Sequence, residues 1–173
     1  MDKRDRSVMK IAVLSDTHFP KRRKAFPPQL ERDLAQADAI IHAGDFLTVE
    51  AFRELQKYGP LHAVYGNGDC TELKELLPGK LMLEFGRFRV GVVHGHEGRG
   101  ASTEKRALNA FKNHKPDCVI FGHSHIPIKK EQDGLLIFNP GSPSDKRRQP
   151  LFSYGILTLG DKLTAEHVFF GPQ

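Results

Sequence analysis

The chain holds only two cysteines in 173 residues, Cys70 and Cys118, far apart and outside any C-x-x-C pair. That excludes a disulfide framework, a zinc ribbon and a thioredoxin-like redox motif, and both thiols are expected to be reduced. Long apolar runs are missing as well, so no segment of about 20 residues is suited to cross a bilayer as a helix. The amino terminus, MDKRDRSVMK, mixes both charges and has no apolar stretch of signal-peptide length, so the expected location is cytoplasmic. Strong charge of one sign is also lacking. The 26 Lys and Arg against 21 Asp and Glu leave +5, which suits anionic ligands but does not by itself mark a nucleic-acid binder. No Walker loop or G-x-G-x-x-G is present, which removes the usual nucleotide cradles. A serine-hydrolase elbow fails too, because Gly122-His123-Ser124-His125 runs into Ile126 rather than glycine.

What is there is a soluble globular composition, 39% apolar and 27% charged, at a length that suits one domain with one substantial core. Residues 1–8 read as a charged extension, expected to be flexible and dispensable, and residues 9–173 as a single domain. Five short apolar runs each end abruptly in Asp, His or Asn beside Gly. They are Ile11 to Leu14, Ala39 to Ile41, Leu61 to Tyr65, Val90 to Val93 and Cys118 to Phe121. Continuous rather than alternating hydrophobicity is the mark of strands buried on both faces.

Between the runs, about Pro28 to Ala37, Val49 to Lys57, Glu72 to Leu76 and Thr103 to Asn113 have helical spacing, with Ser102 as a cap before the last. Strand alternating with helix predicts an α/β domain with right-handed crossovers. Later, Ile126 to Lys130, Leu135 to Phe138, Leu151 to Thr158 and Leu163 to Phe170 are strand-like and separated by turn signals such as Asp133-Gly134 and Gly160-Asp161. Hairpins, antiparallel pairing and a second sheet stacked on the first follow.

In an open α/β sheet, ligands bind at the carboxyl ends of the strands. The five polar terminators are therefore expected to converge, although they are scattered over more than a hundred residues. Asp16/His18, His94/His96 and His123/His125 are each two residues apart, a spacing that in extended chain points both side chains to one side. Carboxylate oxygen and imidazole nitrogen without thiolate suit a catalytic divalent metal such as Mn, Fe, Zn, Ni or Co. Taken singly, each feature has a bland reading: a lone His at a strand end is a solvated residue, and Asn67-Gly68 is a turn. Five in order reverse those odds, and four or more imidazoles packed without a cation would repel one another once protonated.

The set resembles the calcineurin-like metallophosphoesterase superfamily, in its small bacterial and archaeal phosphodiesterase branch. The motifs D-x-H, G-D, G-N-x-D, H-G-H and G-H-x-H stand here as Asp16-Thr17-His18, Gly44-Asp45, Gly66-Asn67-Gly68-Asp69, His94-Gly95-His96 and Gly122-His123-Ser124-His125, followed by Asn139-Pro140-Gly141-Ser142. The resemblance implies two stacked mixed β-sheets flanked by helices, a four-layer sandwich, with two divalent metal ions per chain, Mn foremost. By family position, Asp16, His18, Asp45 and His125 would hold the first ion; Asp45 would bridge to the second, completed by Asn67, His94 and His123. A bridging hydroxide would attack phosphorus in line. Larger relatives resembling this pattern place His directly after the motif Asn, where this chain has Gly68. His96 is the expected substitute as leaving-group acid, with an orienting role as its alternative. Asp45, Asn67 and His96 make up the catalytic set; Asn67, His96, Asn139 and Ser142 are the expected substrate contacts, and Asp69 is read as orienting a ligand or a turn.

Three basic clusters remain: Lys21 to Lys24, Lys129-Lys130 and Lys146 to Arg148. Solvated surface suits Lys129-Lys130, while the other two could steer a polyanionic substrate. The first expectation is thus a phosphodiesterase acting on a small diester or nucleotide-like substrate, with no membrane partner and a homo-oligomer left open. The alternatives are a protein-binding scaffold, as in the retromer subunit of the same fold, and a nuclease with steeply salt-dependent binding.

Overall fold

The computed structural model describes residues 8–19 and 25–172. The chain runs β1 (Met9–Leu14), α1 (Pro28–Gln36), β2 (Ala39–His42), α2 (Val49–Gln56), β3 (Leu61–Ala63), α3 (Thr71–Leu76), β4 (Lys80–Phe85), β5 (Phe88–Val93), α4 (Thr103–Ala110), β6 (Cys118–Ile120), β7 (Ile128–Gln132), β8 (Leu135–Asn139), β9 (Phe152–Leu159) and β10 (Leu163–Phe170). Most of the charged extension expected over residues 1–8, and the cluster Lys21 to Lys24, lie outside the described residues. Val8 is exposed, and pairing starts at Met9.

The strands form two five-stranded mixed sheets, in the orders β10-β9-β1-β2-β3 and β4-β5-β6-β8-β7. In each, three parallel strands carry the crossovers, β1-β2-β3 in one and β5-β6-β8 in the other. Antiparallel strands complete both edges of the second sheet and one edge of the first, whose other edge is the parallel strand β3. The later hairpins therefore do not build a separate sheet: β7-β8 extends one and β9-β10 the other.

The packing explains the unbroken apolar runs. Ile11 and Val13 of β1 point between the sheets, with Ile41, Val92, Ile120, Phe138 and Leu157. Ala12 and Leu14 point to the other face, against Leu30 and Leu34 of α1 and Phe52 and Leu55 of α2. Val119 and Ile137 on the outer face of the second sheet meet Ala107 of α4 and Phe111. The result is a helix-sheet-sheet-helix sandwich. Short polar caps set the starts of α2 and α4: Thr48 accepts the Ala51 N–H at 3.2 Å, and Ser102 accepts that of Lys105 at 3.2 Å. No helix among the described residues is long and apolar enough to cross a membrane.

β4 has no counterpart among the runs seen in sequence. Its residues are mostly half-exposed, because it is an edge strand that turns through Gly86, at φ 60°, into β5. Such a strand has neither a continuous apolar run nor a polar terminator.

Candidate metal centre

The loops after β1, β2, β3, β5 and β6 meet at the carboxyl ends of the parallel strands. Six of their residues, none of them glycine, have left-handed backbone: Asp16 (φ 54°), His18 (46°), Asp45 (65°), Leu47 (85°), His123 (68°) and His125 (61°). This conformation is disfavoured for residues with a Cβ and persists only where the surroundings enforce it. Close approach also demands glycine at two places. A Cβ on Gly66 would lie 2.2 Å from Asp45 Oδ1, and one on Gly122 would lie 2.7 Å from Asp16 Oδ2.

Each central carboxylate has one oxygen pinned and one presented. Asp16 Oδ2 accepts from the Ser15 hydroxyl at 2.7 Å and from the His123 N–H at 2.9 Å. Its Oδ1 is buried without a hydrogen-bond partner. Around Oδ1 stand the Nε2 atoms of His125 at 3.4 Å, His94 at 3.8 Å and His18 at 4.0 Å. Asp45 Oδ1 accepts the Gly68 N–H at 2.8 Å, while its Oδ2 lies 3.3 Å from His18 Nε2 and 3.5 Å from His94 Nε2. Asp69 holds two of the loops together, accepting from the backbone N–H groups of Asp45, Leu47 and Gly66 at 2.8–3.0 Å. That is the turn-orienting role read from the sequence.

The tautomers follow from the outer partners. His94 Nδ1 donates to the Ala43 carbonyl at 2.7 Å, and His125 Nδ1 donates to the Asp145 carbonyl. A carbonyl can only accept, so the neutral ring directs an Nε2 lone pair inward. His94 Nε2 then faces Asn67 Oδ1 at 3.1 Å as well as the two carboxylates. Lone pairs facing lone pairs require a positive charge between them.

The titration behaviour agrees. Burial works against His94 carrying charge, yet the Asp45 and Asp16 carboxylates raise its pKa to about 9. Burial also lowers the His125 pKa, but the neighbouring Asp16 brings it above its ordinary value. For Asp16 and Asp45, burial favours the neutral form; the imidazoles around them nevertheless hold both below the usual carboxylate range. Two groups, Asp16 with His18 and His125, and Asp16 with Asp45 and His94, place all their donor atoms within 4.8 Å of one another. Buried unpartnered oxygen and nitrogen, an O/N donor set and inward lone pairs fit divalent cations. The thiol of Cys118 lies in the core between the sheets.

His123 sets its ring edge-on to that of His94, centroids 5.2 Å apart. Burial, then the positive His94, lower its pKa. His96 stands 5.3 Å from the His94 ring and 6.0 Å from that of Tyr65. Its Nε2 lies 3.2 Å from Glu97, and its Nδ1 is buried without a partner.

Asn139 and Ser142 are the other two expected substrate contacts. Both are buried. Asn139 donates to the Gly122 carbonyl at 3.1 Å and to Ser124 Oγ at 3.2 Å, and accepts the Gly141 N–H at 2.9 Å. Ser142 donates to the Asp16 carbonyl at 2.8 Å. Their polar atoms brace the loops that follow β1 and β6. Lys130 pairs with Glu104 at 2.7 Å on the surface, whereas Arg147 reaches the His123 carbonyl at 3.3 Å.

Ser15, His42 and Asp145 had no assigned role in the sequence reading. Ser15 directly precedes Asp16 and His42 stands two residues before Gly44, so position beside a motif is the available signal; Asp145 lies beyond the last motif and has none.

The sequence that builds this geometry matches a known family. The profile of the calcineurin-like phosphoesterase superfamily domain matches residues 9–162. The chain belongs to that superfamily. A probable metallophosphoesterase of Methanothermobacter thermautotrophicus is 34% identical over 94% of this chain and 94% of its own length. The phosphodiesterase MJ0936 of Methanocaldococcus jannaschii is 30% identical over 77% of this chain and 83% of its own. Among solved structures, a Vps29 of Entamoeba histolytica superposes with a TM-score of 0.75 at 23% identity, covering 94% of this chain and all of that one (100%). That likeness is one of fold. The superfamily normally uses divalent metals, the named relatives support a hydrolase, and the clustered O/N donors are consistent with such metals here.

Proposed function

We propose that this chain is a phosphodiesterase dependent on two divalent cations. Asp16, His18, Asp45 and His125 would hold one, and Asp45, Asn67, His94 and His123 the other, with Asp45 shared. The observation that carries this reading is the unpartnered, buried Asp16 Oδ1 ringed by three imidazole nitrogens at 3.4–4.0 Å. Asp45 Oδ2, between His18 and His94, supports the shared role, and Asp16 Oδ1 spans the same two rings. A pair of divalent ions, Mn foremost and Ni, Fe, Zn or Co as alternatives, would supply Lewis acidity and a hydroxide nucleophile at neutral pH.

The chain itself does the positioning. Two carboxylates against two dications leave a net positive pocket, which draws a phosphoryl group, and Asn67 offers a carbonyl oxygen without adding charge. No side-chain nucleophile is needed. His96, at the rim beside His94 and His123, is the group assigned to give a proton to an alkoxide leaving group; a phenolate needs none. The similarity to a named phosphodiesterase favours diesters, and the substrate class is a small or nucleotide-like diester.

The test is metal analysis of the purified protein coupled to hydrolysis of bis(p-nitrophenyl) phosphate and p-nitrophenyl phosphate. Chelation should abolish turnover and Mn or Ni should restore it, with the diester preferred. Turnover unchanged after exhaustive metal removal would overturn the reading. Metal uptake with no hydrolysis of any ester would point instead to a scaffold, and a steep loss of nucleic-acid cleavage with salt would mark a nuclease.

A further inference from the structure

The loop after β8 is stitched along the loop after β1. Ser142 Oγ donates to the Asp16 carbonyl at 2.8 Å and accepts the Asp145 N–H at 2.9 Å. Ser144 Oγ donates to the Thr17 carbonyl. This stitching sets Asp145 behind two ligand rings at once. Its carbonyl accepts His125 Nδ1–H, and its carboxylate Oδ2 lies 3.4 Å from His18 Nδ1. The two rings stand perpendicular at 5.0 Å, each with Nε2 directed to a central carboxylate.

The other half of the centre is held differently. His94 Nδ1 rests on the neutral carbonyl of Ala43 at 2.7 Å. A carbonyl fixes the tautomer and orientation of an imidazole. A carboxylate does both and adds negative charge, which makes the opposite nitrogen a stronger donor to a metal.

We propose that Asp145 is a positioning residue whose carboxylate makes the Asp16, His18 and His125 cluster the tighter of two unequal half-sites for a divalent cation. The proposal rests on the two-cation reading above and adds an order of filling: the Asp145 side first, the His94 side second.

The experiment is titration of metal-free protein with Co²⁺, followed by visible absorption and by calorimetry, so the readout is binding rather than turnover. The parent should fill in two steps. Asp145→Asn keeps the backbone carbonyl on His125 and a side-chain acceptor for His18, and removes only the charge. It should weaken the first step by about 10- to 100-fold and leave the second nearly unchanged. Asp145→Ala should weaken the first step at least as much, while His94→Ala should remove the second step and spare the first. An Asp145→Asn titration that superimposes on the parent, or in which both steps weaken alike, would overturn this inference while leaving the two-cation reading standing. A parent that takes up no Co²⁺ would overturn both. Matching melting temperatures of metal-free parent and Asp145→Asn would show that the variant is folded.

Discussion

The imidazole of His42 lies flat on the phenyl ring of Phe46, centroids 3.6 Å apart. Its Nδ1 accepts the Gly44 N–H at 3.0 Å, and Nε2 is therefore left to donate to Thr17 Oγ1 at 3.1 Å. His42 thus ties the loop after β1 to the loop after β2 only as a neutral ring.

Burial lowers the His42 pKa to about 3 in the folded protein, against about 6.5 in the unfolded chain. The unfolded state therefore binds the extra proton between those values. The stability His42 contributes is present above pH about 6.5 and is lost as pH falls towards 3. Denaturant unfolding of metal-free parent and His42→Asn should show the parent losing up to about 1.4 kcal/mol per pH unit more than the variant in that window. Parallel pH profiles would refute this.

His94 behaves with the opposite sign. Its pKa of about 9 in the metal-free protein means that its contribution to stability is full below about 6.5 and is lost as pH rises through 9. A proton on Nε2 must leave before a metal binds there, so metal affinity should climb as pH rises from 6 to 9. Calorimetry in buffers of different ionisation enthalpy should count a released proton at pH 7.5. Affinity independent of pH across this range is the contrary result.

Asp45→Ala removes the carboxylate that spans His18 and His94. It should lose bound metal and at least about 1,000-fold in turnover, the order expected when a centre that both activates water and stabilises charge is dismantled. His96→Ala should keep its metal. It should slow hydrolysis of alkyl diesters by about 100-fold and p-nitrophenyl diesters far less. Loss of metal from His96→Ala would make His96 a ligand instead.

Gly66→Ala should be more damaging than its size suggests. The new methyl would meet the Asp45 backbone nitrogen at 2.7 Å as well as its carboxylate, and the backbone cannot retreat as a flexible side chain can. A cost of about 1–3 kcal/mol and reduced metal content are expected. Gly160→Ala, where the nearest atom is Val8 Cγ2 at 3.4 Å, is the control and should change neither.

The convergence of the candidate ligands was legible in the sequence because a parallel strand delivers its last residue to the same edge every time. Asp16, Asp45, Asn67, His94 and His123 each follow an apolar run, and the fold gathers them without needing any further signal. The bracing roles were not legible, although Asn139 itself stands out in its turn motif. Asp145 and Asn139 act through neighbours more than ten residues away in sequence, and no local pattern encodes which loop lies behind another. Edge strand β4 was missed because a half-exposed strand has no buried face on each side to write into its sequence. The assignment of hairpins to sheets turned on which parallel strand each one met, and that is a property of the closed core.

The left-handed backbone at Asp16, His18, Asp45, His123 and His125 implies a standing conflict between durability and chemistry. Each such residue costs on the order of 1 kcal/mol relative to glycine, a tension that the cation-free chain bears alone. Glycine at a single one of these positions should yield a more heat-resistant but inert protein. A lineage freed from hydrolysis would thus harden by discarding its ligands one at a time, and their joint retention here is what continued use of the centre would require.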